Sequence, residues 1–349
     1  MFVRIEKNKD VNAMRRYLLP SEGTFYKANL HSHSTVSDGN LTPEEMKRAY
    51  MERGYSIIAF TDHEILIDHS DLNEETFLAI TGYELSVNER GDKPWPQKKT
   101  CHLNLYARDP HNTTQVCFHP EQFWFCGEEV YGKIRYVGDH YIREHTPDCI
   151  NDIIRTAREN GFLVAYNHPH WSREDPGDYL NYEGLFAMEI YNHGSNSVGF
   201  FEYDIQDYDL MLRSGKRLFC SATDDNHNKN PRGIYTDSFG GFDMIKVPSL
   251  TYDAVIRALE HGDFYASQGP EIHDLYLEDG TVHVKCSPAK YISYVAGVRR
   301  NAARFGYEGY LEEAAFTVDP DDVCFRISVV DEQGRHADTH AYFLDELRT

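Results

Sequence analysis

The sequence predicts an α/β protein in which helices alternate with the strands of a parallel sheet. Three observations support this fold class. Helix start and stop signals alternate with short apolar runs, and most of these runs end in a histidine, an aspartate or a glutamate. Near residue 271 the alternation stops and a period-two pattern begins. Such alternation is typical of βα units, whose strands carry functional groups at their carboxyl ends.

The first unit begins with a readable helix start. Thr42 is a candidate N-cap, Pro43 suits the first helical position, and Glu45 completes a capping-box pattern. Gly54 is the expected stop of this helix. The apolar run YSIIAF follows and leads directly into the tripeptide TDH, so the strand that this run predicts is expected to end in polar residues.

Later units repeat this order. A helix over residues 147–160, with Gly161 as its stop, precedes the run FLVAY and then the tripeptide NHP. A helix that ends at Gly215 precedes RLFCSA and then DDNH. The runs FLAITGYELSV and FAMEIYNHGS fit the same rule, since they place Glu84 and His193 at or just past a strand end.

Two regions depart from the pattern and suggest domain limits. Residues from about 106 to 146 form an insertion rich in aromatic residues and histidine, which we expect to be a lid or a cleft wall. From 271 onward, alternating patterns and the turn sequence EDG predict a small antiparallel β domain. The chain is therefore divided into an N-terminal extension (1–25), a main unit (26–270) and a β-rich domain (271–349).

Composition restricts the partners of the protein. With 35 Lys plus Arg against 56 Asp plus Glu, the net charge of -21 argues against long nucleic acids and against anionic membrane surfaces. The chain has no apolar run of about 18 residues and no signal-peptide core, which predicts a cytoplasmic protein. Its 7 cysteines lack paired CxxC spacing, so we expect reduced thiols.

Residues 29–40, NLHSHSTVSDGN, begin a series of candidate metal ligands. In an extended strand, residues i and i+2 share a face, so His31 and His33 can bind one ion. Taken singly, each candidate has an ordinary reading, such as a turn residue for Asp38 or a satisfied core histidine for His102. Their repeated placement at the ends of separate apolar runs favours a joint metal-binding role. The full series is His31, His33, Asp38, His63, Glu84, His102, His168, Asp225 and His227.

These motifs also resemble a known family. In order along the chain, HSHSTVSDG, IIAFTDH, GYEL, CHLNLY, NHP and DNH are similar to the metal-binding motifs of the PHP superfamily, named for polymerase and histidinol phosphatase. The resemblance covers roughly residues 26–270. The segments GIYTDSFGGF and DFYASQGP and the β-rich tail resemble the carbaryl-hydrolase-like branch. The resemblance implies a distorted (β/α)7 barrel with up to three divalent ions at its strand ends.

The resemblance further implies a ligand assignment. The first ion would take His31, His33, Glu84 and Asp225, the second Asp38, His63 and His227, and the third Glu84, His102 and His168. A mixed set of imidazoles and carboxylates suits two or three zinc, manganese or iron ions better than calcium or magnesium. The adjacent residues Asp62, Asn167 and Asp224 are candidate partners that orient the imidazoles.

Such a site implies a metal-dependent phosphoesterase acting on a small phosphorylated substrate, a nucleotide or sugar phosphate, with a metal-bridging hydroxide as nucleophile. Arg232 is a candidate phosphate ligand because its planar guanidinium matches phosphate oxygens. His193 is a candidate proton donor to the leaving group or a phosphate contact. Three alternatives stay open: a hydrolase of carbamate, ester or amide bonds, a 3′–5′ nuclease on short oligonucleotides, and a binding protein with a structural metal cluster. The oligomeric state is not predicted.

Overall fold

The computed structural model of the chain describes residues 15–122, 132 and 134–347. Within these residues a large mixed sheet combines with helices into an α/β fold. The helices are α1 (Pro43–Met51), α2 (Pro147–Glu159), α3 (Pro176–Tyr179), α4 (His193–Ser197), α5 (Ile205–Arg213), α6 (Tyr252–His261) and α7 (Leu344–Leu347). None of the helices in this described part of the chain is long and apolar enough to cross a bilayer.

The strands fall into two groups along the chain. Those before residue 270 are β1 (Arg16–Tyr17), β2 (Thr24–Asn29), β3 (Tyr55–Phe60), β4 (Leu78–Asn88), β5 (Thr100–Ala107), β6 (Thr114–Gln115), β7 (Arg135–Tyr136), β8 (Phe162–Tyr166), β9 (Ala187–Asn192), β10 (Phe219–Thr223), β11 (Phe242–Val247) and β12 (Phe264–Ser267). Those after it are β13 (Ile272–Glu278), β14 (Thr281–Ala289), β15 (Tyr291–Ala296), β16 (Ala302–Phe305), β17 (Leu311–Thr317), β18 (Cys324–Val330), β19 (His336–Asp338) and β20 (Tyr342–Phe343).

Among the described residues, the large sheet has 14 strands, and its order places the strands that carry the candidate ligands close together. The order is β10-β9-β8-β5-β4-β3-β2-β11-β12-β19-β18-β15-β16, with β20 on β18. Strands β2 to β4 are parallel, as are β8 to β10, but β5 is antiparallel to both of its neighbours. The prediction of a parallel sheet is therefore wrong at β11, which is antiparallel to β2 and β12, and at β5. The physical reason is its connection: β5 follows β4 through residues 89–99 as a hairpin, without the crossover helix that a parallel pair needs.

The predicted barrel is not confirmed. Among the described strands, β10 does not pair through its backbone with β2 or β11, so the sheet is not closed. Strand β10 nevertheless lies close to β11 and to the segment that follows β2. The Ala222 amide on β10 donates to the Asp243 carboxylate on β11 at 3.2 Å, and a bridge joins Ser32 to Asn226 beyond the ends of β2 and β10. These contacts bring the segments that follow β2 and β10 together.

The helix boundaries follow from local chemistry. Thr42 accepts a hydrogen bond from the Glu45 amide, and the Glu45 carboxylate accepts one from the Thr42 amide, which confirms the predicted capping box. Such a cap is worth about 1 kcal/mol. Helix α2 buries its apolar face, including Ile150 and Ile154, and ends before Gly161, whose φ of 87° is open to glycine at no steric cost.

The β-rich end of the chain is continuous with the main sheet. Strand β12 pairs with β19 across the expected boundary at residue 270, and β1 pairs with β13. Leu18 and Leu19 belong to the same hydrophobic cluster as Ile272 and Leu275. Part of the expected N-terminal extension therefore packs with the C-terminal strands. The predicted EDG turn is confirmed, since the φ angles of Asp279 and Gly280 are 49° and 72° between β13 and β14.

The predicted insertion is anchored to the main unit through a buried arginine. Arg143 is 2% exposed, and it donates to the Glu64 carboxylate at 2.7 Å and to the carbonyls of Ser86 and Cys117. Because Glu64 follows β3 and Ser86 lies in β4, this segment is fixed beside two strand ends of the sheet. Its role as a lid or cleft wall stays a prediction, and Trp124 and Cys126 lie outside the described residues.

Candidate metal centre

The candidate ligands gather at one edge of the sheet. Most of them follow the carboxyl ends of β2, β3, β8 and β10. His102 lies near the start of β5, and because that strand is antiparallel, its start lies at the edge where its parallel neighbours end. Candidate ligand atoms lie within 4.8 Å of one another in four groups: His33, Asp38, His63 and His227; His31, His168 and Asp225; His31, His33 and Glu84; and Glu84, His102 and His168. The structure thus brings together all the residues of the predicted series.

Glu84 lies at the centre of this cluster. The residue is fully buried in the middle of β4. Its two carboxylate oxygens face nitrogens of several imidazoles. Oε1 is 2.9 Å from His102 Nδ1, 3.2 Å from His31 Nε2 and 3.3 Å from His168 Nε2, and Oε2 is 2.8 Å from His63 Nδ1 and 3.6 Å from His33 Nε2. Glu84 thus belongs to two of the four groups, and its oxygens also face imidazoles that belong to the other two.

Asp225 forms the second acidic point of the cluster. Its Oδ1 lies 3.0 Å from His33 Nε2 and 3.2 Å from His31 Nε2. The backbone of Asp225 has a φ of 51°, and that of His168 has a φ of 24°, both in the left-handed region that non-glycine residues rarely adopt. Such conformations cost of the order of 1–3 kcal/mol and persist where the surrounding structure determines them. Here they aim two side chains at the cluster.

Asp38 lies at the more open side of the cluster. Its Oδ1 is 3.5 Å from His227 Nε2 and 3.8 Å from His63 Nε2. Its Oδ2 accepts a hydrogen bond from Lys229 Nζ at 2.7 Å, which makes the two residues an ion pair. The following Gly39 packs so tightly that a Cβ there would lie 2.2 Å from the His33 carbonyl oxygen. Glycine is thus required to hold the loop of Asp38 against His33.

The donor set fits divalent cations. Glu84 Oε2 and Asp225 Oδ1 are buried and make no hydrogen bond of acceptable geometry among the described residues, although ring nitrogens lie 2.8 and 3.0 Å away. The Nε2 atoms of His31 and His33 face each other at 3.2 Å. Buried polar atoms are normally satisfied. A zinc, manganese or iron ion bound between the converging imidazole nitrogens would provide the missing partner for these carboxylate oxygens.

Burial and neighbouring charges give the imidazoles of the cluster different pKa values. Burial, helped by His227 and His63, lowers the pKa of His33 to about 3. Burial also opposes a charge on His168, but Glu84, Asp225 and Glu189 outweigh it and raise the pKa of His168 to about 9. The same balance, with Asp225 foremost among the acidic groups, raises the pKa of His31 well above its usual value. Burial alone would raise the pKa values of Glu84 and Asp225, yet the surrounding histidines hold them well below the usual range.

These shifts predict that metal binding releases protons. With their pKa values raised in this way, His31 and His168 are expected to carry protons in the metal-free protein at pH 7, and an imidazole must be neutral to coordinate. The apparent metal affinity should rise from pH 6.5 toward 9, roughly tenfold per pH unit for each displaced proton, and the contribution of His168 should vanish above its pKa of about 9. Calorimetry of metal binding in two buffers of different ionisation enthalpy counts the protons. An affinity that does not change with pH would contradict this assignment.

Glu189 is a further residue of the site that the sequence did not reveal. It lies on β9, is 2% exposed, and accepts from His31 Nδ1 at 3.0 Å and from the His168 backbone amide at 3.0 Å. It also contacts Thr223 and Asn192. The apolar run FAMEIYN showed only a single acidic residue inside a strand, which has no signal of its own. Lys229, the ion-pair partner of Asp38, was also missed.

The expected imidazole-orienting residues act on other groups. Asp62 accepts from the amides and hydroxyls of Ser34 and Ser37 and so shapes the loop before Asp38. Asn167 donates to Glu84 at 2.9 Å. Asp224 accepts from the Tyr50 hydroxyl and from the amides of residues 239–241. All three support the site, but through the loop, a carboxylate and the backbone.

A cleft of about 500 Å³ adjoins the cluster. Asp225, His227 and Arg232 contribute to its lining, as does Trp171, whose ring lies 5.1 Å from that of His168. Arg232 is exposed at this cleft and donates to the Ser197 carbonyl at 3.2 Å. His193 points elsewhere: its ring bonds the Tyr191 hydroxyl at 3.0 Å and packs against Gly240. Its role as a proton donor stays a prediction.

Comparison with known proteins agrees with the resemblance of the motifs. Residues 29–150 match the family model of the PHP domain. A 5′-3′ exoribonuclease from Haemophilus influenzae is 38% identical over 69 residues, which span 19% of this chain and 25% of that protein. The match thus covers about a quarter of that curated relative. Residues 29–150 of this chain are therefore similar to PHP domains, and the carbaryl-hydrolase-like branch is not confirmed.

Two solved structures are similar over much of the chain. A two-domain protein from Bacteroides vulgatus, containing a predicted PHP-like metal-dependent phosphoesterase, is 16% identical, covers 95% of this chain and 91% of its own, and gives a TM-score of 0.46. A candidate metal-dependent phosphoesterase from Bifidobacterium adolescentis is 16% identical, with 69% and 96% covered and a TM-score of 0.36. Likenesses at this level assign no activity.

Proposed function

We propose that this protein is a metal-dependent phosphoesterase that hydrolyses a small phosphorylated substrate, a nucleotide or a sugar phosphate. The observation that carries the proposal is the buried cluster of imidazoles and carboxylates beside a cleft that also holds cationic side chains. Cations at the open side of the site, Lys229 and Arg232, suit an anionic substrate. The PHP domain match over residues 29–150 supports the same class of chemistry.

The residues have distinct roles in this proposal. Two or three divalent ions would be held by the nine clustered side chains, and they would supply water of lowered pKa and stabilise charge on phosphoryl oxygens. Glu84 and Asp225 bring compensating negative charge to the ion sites, and Glu189 holds the His31 ring through Nδ1. Trp171 forms an apolar wall of the cleft. No step is assigned to His193.

The size of the cleft and the net charge of the protein both favour a small substrate. A cleft of about 500 Å³ is in the range that encloses small molecules. A net charge of -21 repels a long polyanion before it reaches the site, whereas a short phosphate ester meets only the local field of the cleft.

The test of the proposed function is phosphate release from a panel of nucleotides and sugar phosphates with added manganese. The same panel, extended by carbamates, esters and amides, separates the proposal from that alternative.

Replacing Arg232 by alanine tests the proposed phosphate contact. We expect KM for a phosphate ester to rise by about 10- to 100-fold with a smaller change in kcat, because a charged hydrogen bond to the substrate is lost. Steady-state kinetics measure the two constants separately. Arg257→Ala is a matched control, since Arg257 is an exposed arginine on α6 that pairs with Asp253. An unchanged KM in Arg232→Ala removes this residue from the site.

A nuclease acting on short oligonucleotides is the second candidate. The one observation that favours it is the 69-residue match to a 5′-3′ exoribonuclease, whose direction of degradation is opposite to the 3′–5′ direction considered from the sequence. Cleavage of end-labelled oligonucleotides of a few nucleotides would show both the nuclease activity and the direction of degradation. Efficient cleavage of oligonucleotides with no release from mononucleotides would replace the proposed substrate class.

A further inference from the structure

A second cavity, of about 760 Å³, lies between α5 and the β-rich end of the chain. One wall is the second half of α5 with the residues that follow it, and the other is formed by the turn after β15 and the start of β18. It has no lining residue in common with the cleft beside the metal centre. Its volume is within the range of cavities that bind small organic molecules.

A satisfied ion pair forms part of its lining. Arg326 is 6% exposed, and it donates from Nε and Nη2 to the two carboxylate oxygens of Asp209, both at 3.2 Å. It also contacts Asp338 at 3.4 Å. Since Asp209 lies on α5 and Arg326 on β18, this ion pair connects the two walls. Both side chains therefore already have partners within the protein, and we do not assign them to a ligand.

Two further arginines of the lining are not paired in this way. Arg213 and Arg299 are exposed, and within the described residues neither has a carboxylate oxygen within 4.0 Å; Arg213 donates only to the Asp209 carbonyl at 3.2 Å. Arg217, also in the lining, pairs with Asp345 and Glu346 and lies over the Phe343 ring. In a chain with 56 acidic residues against 35 basic ones, this cavity is lined by four arginines and one aspartate.

The rest of the lining is largely apolar. Leu210, Val295, Val323 and Phe343 contribute side chains, and Val323 is 60% exposed. Burial raises the pKa of the Cys324 thiol to about 11, so this lining residue stays neutral at pH 7. The cavity therefore combines an apolar wall with two arginines, Arg213 and Arg299, that have no carboxylate partner among the described residues. Exposed apolar surface beside unpaired cations is the combination that recognises a molecule with an apolar body and an anionic end.

We propose that this cavity binds a small amphipathic organic anion, an aliphatic or aromatic acid. Its head group contacts Arg213 and Arg299, and its apolar body lies against Val295, Val323 and Phe343. A ligand in this position touches α5 on one side and the C-terminal strands on the other. The site is independent of the proposed hydrolytic reaction, because none of its residues is a candidate metal ligand.

The test uses the full chain and the fluorescent anion 8-anilinonaphthalene-1-sulfonate. We expect one saturable site, displaced by decanoate but neither by decanol, which lacks the charge, nor by inorganic phosphate, which lacks the apolar body. The double variant Arg213→Ala/Arg299→Ala should raise the dissociation constant at least about tenfold. Arg257→Ala, outside the cavity, should stay within about twofold of the unchanged protein.

A second pair of variants keeps the test decisive if the double variant does not fold by circular dichroism. Val323→Glu adds a repelling charge at an exposed position of the wall and should weaken dye binding at least about tenfold, whereas Val323→Gln should weaken it less. Unchanged binding in the folded double variant, or equal effects of the two Val323 variants, overturns the proposal. So does displacement by decanol as effective as that by decanoate, or displacement by phosphate, which would place the dye at the metal centre.

Discussion

Glu84→Gln is expected to remove tightly bound metal from the protein and to reduce hydrolysis together with it. Glutamine keeps the shape of the side chain but loses the charge, and its amide would point a donor at imidazole nitrogens that now face a carboxylate oxygen. Even partners of a metal ligand change affinity by about 10–100-fold, so the loss of this shared carboxylate should exceed that range. Elemental analysis of the variant beside the unchanged protein measures the effect.

Glu183→Gln provides the matched control for this substitution. Glu183 is an exposed glutamate whose partner is Lys216, and it belongs to none of the candidate ligand groups. It should retain the full metal content and activity. Glu84→Gln protein that binds as much metal as the unchanged protein, with equal affinity, would show that this carboxylate does not hold the ions.

Glu189→Gln is expected to weaken metal binding by about 10–100-fold without removing any candidate ligand. The carboxylate fixes the His31 ring through Nδ1 and holds the His168 amide, so its loss lets both rings move and lowers the basicity of His31. Metal titration followed by calorimetry gives the affinity. Because the residue acts through the ligands, excess metal should restore most of the activity.

A purely structural role for Glu189 predicts a different pattern. In that case thermal stability would fall while the metal affinity of the folded fraction stayed the same, and excess metal would restore nothing. Asp345→Asn is a control for the loss of a carboxylate from an exposed ion pair, since Asp345 pairs with Arg217 at the surface. It should leave metal affinity unchanged.

The local elements of the fold could be predicted because their signals are local. The capping box at Thr42 and the glycine stop at Gly161 depend on a few neighbouring residues, and both are present in the structure. The direction of β5 could not be predicted in this way, since it depends on whether a connection forms a hairpin or a crossover. Whether the sheet closes could not be predicted either, because closure requires β10 to pair with β2 or β11, and no local signal in the sequence reports on that pairing.

The candidate ligands could be predicted for a related reason. Strand ends bring polar residues to one edge, so the histidines and aspartates that follow β2, β3, β8 and β10 are themselves a spatial signal. Glu84 lies in the middle of β4 and His102 near the start of β5, so this signal does not extend to them. Glu189 and Lys229 carry no such signal: the first lies within a buried strand, and the second is one of many surface lysines. His193 had the expected position in sequence, but the start of α4 turns its ring toward Tyr191.

The most direct test of the central claim is the metal content of protein purified without chelator, measured together with manganese-dependent release of phosphate from nucleotides and sugar phosphates. Two or three bound ions per chain, with phosphate release that a chelator abolishes and added metal restores, is the result that the clustered imidazoles and carboxylates predict. Protein that binds no divalent ion after attempted reconstitution, or that binds ions and releases no phosphate, would contradict the proposed phosphoesterase.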